Sequence, residues 1–171
     1  LAIWAGAGIF YAGALLISVL VLRLSLRHGV ISVLWLFAIV WGTDILAYFS
    51  GRTIGGPKLW PRVSPSKTWS GFVGGVSGGA LVGTMLIYWQ LPSVRADWGW
   101  LFLFALVLAI VSQGGDLFES AFKRRYGVKD SSNLIPGHGG ALDRLDGFAA
   151  AAVCAALIGL IRAGPVNVAH G

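Results

Sequence analysis

The segment from Val30 to Phe49 constrains this chain most, because Asp44 is its sole charged residue. Crossing the hydrocarbon core of a bilayer takes roughly 20 apolar residues in a helix. In lipid, each backbone N–H and C=O must also find a partner within its own segment, which favours helices for an apolar block without strand alternation. Similar blocks run from about Ile3 to Leu22, Gly71 to Leu91, Trp98 to Phe118 and Gly147 to Ile161. The share of charged residues is 12%, against about 25% for a soluble domain. The expected fold class is therefore all-α: a polytopic transmembrane helical bundle of about five spans, forming one membrane-embedded domain over residues 1–171. The chain opens inside an apolar block at Leu1 with no basic segment before it, unlike a complete signal peptide. It is expected to be the C-terminal part of a longer, N-terminally truncated protein.

The net charge is +6 and the pI is near 10.0. In a soluble protein this would suggest nucleic acid. Here the basic residues crowd into the loops between apolar blocks, as membrane topology and an anionic ligand require, and no nucleic-acid partner is expected. The loops are 23–29, 50–70, 92–97 and 119–146. Two spans separate the second loop from the fourth, so both face the same side. They carry Arg52, Lys58, Arg62, Lys67, Lys123, Arg124, Arg125, Lys129 and Arg144, against Arg23, Arg27, Arg95 and Arg162 opposite. That imbalance predicts a cytoplasmic position for both polar loops. Trp4, Trp60, Trp69, Trp98 and Trp100 lie near block ends, where interfacial anchors are expected. Cys154 stands alone and forms no internal disulfide. In the third block, Gly71, Gly75, Gly79 and Gly83 recur at i,i+4, with Gly74 and Gly78 beside them, a flat strip for close helix approach.

The seven acidic residues are the most informative. Asp97 and Asp130 suit solvated loops. Asp44 lies well inside a span, and Asp116, Glu119, Asp143 and Asp146 flank the last polar loop; ionisable groups at such positions are costly and are usually paired or functional. Asp116, Glu119, Ser120 and Lys123 follow i, i+3, i+4, i+7, which places them on one face if the helix continues. Asp143 and Asp146 share a face of the next helix if it starts near Leu142. Such carboxylates are hard oxygen ligands suited to Mg²⁺, or their partners are simply Lys123 and Arg144. Between them, Ile135-Pro136-Gly137-His138-Gly139-Gly140 can turn backbone N–H groups toward one anion, or form an ordinary turn. With Lys123, Arg124 and Arg125 it points to a polyphosphate site. In the upstream loop, Ser64-Pro65-Ser66-Lys67-Thr68 suits either a phosphate or a helix entry.

These segments together resemble the signature of the phosphatidate cytidylyltransferase (CDP-diacylglycerol synthase) family. The carriers are Ser120-Ala121-Phe122-Lys123-Arg124, Lys129-Asp130, Pro136 to Gly140 and Asp143-Arg144-Leu145-Asp146. Upstream, Asp44, Ala47-Tyr48-Phe49, Gly51-Arg52 and Ser64 to Trp69 extend the resemblance, which runs from about Trp41 to Gly147. Ser70 stands where the family usually has Glu. The resemblance implies transfer of CMP from CTP to phosphatidic acid, giving CDP-diacylglycerol and pyrophosphate. It implies Mg²⁺ held by Asp116 and Asp143, with K⁺ as a second cation, and a homodimer in a bacterial inner membrane.

In this reading Asp116, Asp143, Lys123 and Arg144 are the catalytic set, and Asp146 and Glu119 are alternate metal ligands. Ser64, Lys67, Thr68, Ser120, Arg124, Lys129, His138, Gly139 and Gly140 bind substrate, the upstream loop closing the site. The competing expectations are a related enzyme, cytidylyltransferase or kinase-like, acting on another lipid or isoprenoid phosphate, and an ion-coupled transporter using the intramembrane acids. A CDP-alcohol phosphotransferase is excluded, because Asp146-Gly147 lacks that class's following acids.

Overall fold

The computed structural model describes residues 2–24, 28–91, 97–125 and 145–163. They form α1 (Ala2–Arg23), α2 (Gly29–Thr53), β1 (Lys58–Trp60), β2 (Ser64–Thr68), α3 (Trp69–Gln90), α4 (Trp98–Arg125) and α5 (Asp146–Ala163). The protein is an all-α polytopic membrane protein with one small hairpin inserted between α2 and α3. By length and composition α2, α3 and α4 can each cross a membrane. The side chains described in the two outer helices form shorter apolar stretches, Gly8–Arg23 and Asp146–Ile161.

The packing inverts that of a water-soluble domain. Much of the interior is small: Ala80, Ala105, Ala109, Ala151, Ala152 and Ala155 are buried. Large apolar side chains such as Phe10, Ile17, Trp41, Trp89, Phe118 and Ile161 point outward. With lipid outside there is little gain in hiding them, so close backbone approach and packing decide the interfaces.

The most extensive interface joins α2 and α3, and the glycine strip builds it. A Cβ added at Gly75 would stand 2.6 Å from the Ala47 Cβ, and one at Gly79 would stand 2.0 Å from the Thr43 hydroxyl. The strip is therefore filled from within the chain by Ile39, Thr43 and Ala47 of α2. It is not a free face for a second copy. Stacked Phe37 and Phe148, 4.3 Å between ring centroids, tie α2 to α5. Trp35 and Phe104, at 5.4 Å, tie α2 to α4.

Three features of the polar end add to the expected span limits. Helix α4 runs on past Phe118 to Arg125, because Glu119 to Arg125 are good helix residues whose charges end the apolar span and not the helix. Helix α5 begins at Asp146, one residue before the expected start of the span at Gly147; Asp143 lies outside the described residues. The upstream loop contains the antiparallel pair β1–β2, with Lys58 opposite Thr68 and Trp60 opposite Ser64. Gly55 (φ 67°) and Gly56 (φ 102°) make the turn from α2 into this hairpin, a left-handed conformation that glycine adopts without steric cost.

Candidate active site

The hairpin is fixed at both ends before it presents any chemistry. Thr68 closes β2 and caps α3, its hydroxyl accepting from the Gly71 N–H at 3.1 Å. Ser70, the position that departs from the family pattern, donates to the Gly55 carbonyl and lies 3.0 Å from the Thr68 hydroxyl. The Trp69 N–H donates to the Pro57 carbonyl at 3.1 Å. Thr68 is buried and occupied as a cap, so its visible work is to hold the hairpin.

From this frame Lys67 reaches α4. Its ammonium donates to Asp116 Oδ2 at 2.6 Å and to Gln113 Oε1 at 3.3 Å. The Gln113 amide then donates through Nε2 to Asp44 Oδ1 on α2, at 3.2 Å. Three elements distant in sequence thus meet in one polar chain, Asp44–Gln113–Lys67–Asp116. Charge-assisted bonds of this kind are shorter and stronger than neutral ones, and here they cross the space between the spans.

Helix α5 is brought to the same place by a second close approach. A Cβ on Gly115 would stand 2.6 Å from the Ala150 Cβ, and one on Gly147 would stand 2.7 Å from the Ser112 hydroxyl. The first turn of α5 therefore lies against the turn of α4 that carries Gln113 and Asp116. Asp146 is buried there, at 7% exposure, as the first helical residue, where the helix dipole favours a negative charge. One turn beyond Asp116, Glu119 pairs with Lys123 at 3.2 Å. Lys123, Arg124 and Arg125 fill the last turn of α4.

The structure thus brings Lys67, Asp116 and the neighbouring Glu119, Ser120 and Lys123 to one end of the bundle, with Asp146 beside them. The i, i+3, i+4, i+7 face exists because α4 continues through it, although its two charged pairs point to different partners. Arg124 is exposed on the same last turn. Ser64 starts β2 opposite Trp60, away from the Lys67 contact. Asp143, Arg144, Lys129, His138, Gly139 and Gly140 lie outside the described residues. Among the described residues no three His, Cys, Asp or Glu side chains converge as a metal site. Gln113 was not anticipated from the sequence. Its signal was available: an amide in an apolar block, three residues before an acid on the same helix.

Fold and site define a helical membrane protein with a charged site built at one end of its bundle. A model of the cytidylyltransferase family matches residues 2–161, and the chain belongs to that family. It is 52% identical to a phosphatidate cytidylyltransferase of Brucella abortus over 162 residues, 95% of this chain and 59% of that protein. It is 43% identical to the enzyme of that name from Bacillus subtilis over 122 residues, 71% of this chain and 45% of that protein. The corresponding protein of Haemophilus influenzae is 45% identical over 141 residues, 77% of this chain and 49% of that protein. The chain spans about half to three-fifths of the length of these relatives.

Proposed function

We propose that the protein transfers CMP from CTP to phosphatidic acid, forming CDP-diacylglycerol and releasing pyrophosphate, at the cytoplasmic face of a bacterial inner membrane. The observation that carries this reading is the Lys67–Asp116 pair, which joins the upstream hairpin to the acidic turn of α4. It sets a cation and an anionic oxygen donor side by side at the charged end of a membrane bundle. Family membership favours this enzyme over an ion-coupled transporter, and the relatives' printed names favour phosphatidate over other lipid or isoprenoid phosphates.

In the reaction a phosphate oxygen of phosphatidic acid forms a bond to the α-phosphorus of CTP, and the bond from that phosphorus to the bridging oxygen of pyrophosphate breaks. The nucleophile is already ionised and needs no strong base, so positioning and charge neutralisation carry the rate. Lys67, Lys123, Arg124 and Arg144 would bind phosphate oxygens, with Ser120, Lys129, His138, Gly139 and Gly140 closing around them. Asp116 and Asp143 would hold Mg²⁺, with Glu119 and Asp146 as alternate ligands and K⁺ as a neighbouring cation. What supports this part of the reading is the chemistry of Asp116, a hard oxygen ligand that holds the Lys67 ammonium at 2.6 Å. Bound there, Mg²⁺ would neutralise charge on the attacking and leaving oxygens. A homodimer is part of the proposal, through a surface other than the filled glycine strip.

The test is the full chain in detergent with radiolabelled CTP, phosphatidic acid and Mg²⁺. A lipid-extractable cytidylyl product is expected, and Asp143→Asn should abolish it while the melting temperature holds. No product from the folded wild-type protein would overturn the activity. An active Asp143→Asn variant would remove that residue from the metal site.

A further inference from the structure

The polar chain at the site contains one residue with no charge to contribute. Gln113 is buried, at 3% exposure, between two groups of opposite character. A lysine ammonium only donates and an ionised carboxylate only accepts. The amide is therefore oriented without ambiguity, its oxygen toward Lys67 at 3.3 Å and its nitrogen toward Asp44 at 3.2 Å. A hydroxyl is too short to satisfy both ends at once, and a carboxylate would face Asp44 with like charge.

The backbone of α4 supports the same assignment. Gln113 precedes Asp116 by three residues, so the two present acceptors to Lys67 from adjacent turns. Ser112 and Gly115, the residues flanking this turn, are packed against Gly147 and Ala150 of α5. The turn bearing Gln113 is thus held by backbone approach, and its side chain is held by Asp44. Lys67, by contrast, comes from a hairpin and has a long stem, whose end would otherwise sample many rotamers.

We propose that Gln113 is a positioning residue that fixes where the Lys67 ammonium stands, with Asp44 on α2 as its anchor. Gln113 does not itself reach the reacting groups. It limits Lys67 to one arc around Asp116, from which the ammonium can pass to a substrate phosphate and return. This inference rests on the proposed role of Lys67 in phosphate binding.

Two measurements test it. In the first, Gln113→Met, which keeps the length and loses both hydrogen bonds, is combined with Lys67→Ala in a double-mutant cycle. In the wild-type background kcat/KM should fall about tenfold, the loss expected for a charge-assisted hydrogen bond. In the Lys67→Ala background the same change should cost less than about twofold, with the melting temperature unchanged in both. An equal penalty in the two backgrounds overturns the proposal. The second measurement needs no turnover: the rate at which an amine-acylating reagent modifies Lys67, read by mass spectrometry. Loss of Gln113 should raise that rate several-fold, and an unchanged rate overturns the proposal whatever the activity. Faster acylation in a protein that makes no cytidylyl lipid would leave the positioning intact and sink the proposed reaction instead. Where Lys67→Ala has no residual activity, the acylation rate alone decides.

Discussion

Two helix contacts in this protein use the same device for different ends. Between α2 and α3, Gly75 and Gly79 let one backbone settle on Ala47 and Thr43, and the surrounding side chains are largely apolar. Between α4 and α5, Gly115 and Gly147 do the same against Ala150 and Ser112, but the turn so fixed carries Gln113 and Asp116. The first contact gives stability. The second spends part of its length on placing charges that lipid would otherwise exclude. Backbone approach is thus the common structural language, and the neighbouring side chains decide whether it builds a wall or a site.

The sharpest way to break the comparison is Gly79→Leu. Its Cβ would meet the Thr43 hydroxyl at 2.0 Å and the Ile39 carbonyl at 2.8 Å, and the backbone cannot yield. More than about 3 kcal/mol should be lost, at the upper end of overpacking costs. Size-exclusion profiles and thermal melts in detergent should show little folded protein. At the other contact Asp116→Asn should leave the melt within a few degrees and lower cytidylyl transfer about 100-fold or more, the scale of losing a preorganised charge at a reacting phosphate. A destabilised but active variant would make Asp116 structural.

Gly115→Ala tests both functions of the α4–α5 contact together. With a Cβ 2.6 Å from that of Ala150, it should cost about 1–2 kcal/mol and reduce transfer more than the melt alone explains. The adjacent Gly114 has nothing within 4 Å of an added Cβ. Gly114→Ala should therefore be neutral or stabilising by up to about 1 kcal/mol through helix propensity. Similar penalties at the two positions would remove the close approach as the cause. The smallest expected difference lies in the last turn of α4. Lys123→Ala should cost several-fold in kcat/KM, and Arg125→Ala about twofold or less, because Lys123 is turned toward Glu119 and Arg125 is exposed. The reverse order would reassign the phosphate-binding face.

Most of the bundle was legible because lipid imposes a strong, long-range rule on sequence. The apolar block from Val30 to Phe49 became α2, Gly29–Thr53, and the block from Gly71 to Leu91 became α3, Trp69–Gln90. What hydropathy does not report is where a helix ends once it leaves the apolar layer: the span was expected to end near Phe118 with continuation of the helix left open, and α4 continues to Arg125. The hairpin was hidden for a related reason. Its strands are short, one contains Pro65, and its geometry depends on Gly55, Gly56 and the Ser70 hydroxyl rather than on alternation. At the site, acids and bases stood out because charges are scarce. Which ones touch was not legible: the Lys67–Asp116 pair crosses 49 sequence positions, and Gln113 carries no charge to draw notice.

The length of α4 has a consequence for how the site meets its surroundings. At 28 residues and 1.5 Å per residue the helix is about 42 Å long, against about 30 Å of hydrocarbon. Asp116 lies nine residues before its end, about 14 Å below the tip. The apolar stretch of α4 ends at Phe118, two residues beyond Asp116, so that depth falls close to where hydrocarbon would give way to headgroups. Under the proposed reaction a lipid would present its phosphate there by lateral diffusion alone, keeping its tails where they were, while a water-soluble partner would descend from the other side. In the proposed reaction the search for one substrate would take place in two dimensions and for the other in three, and the projecting turns of α4 would mark where the two meet.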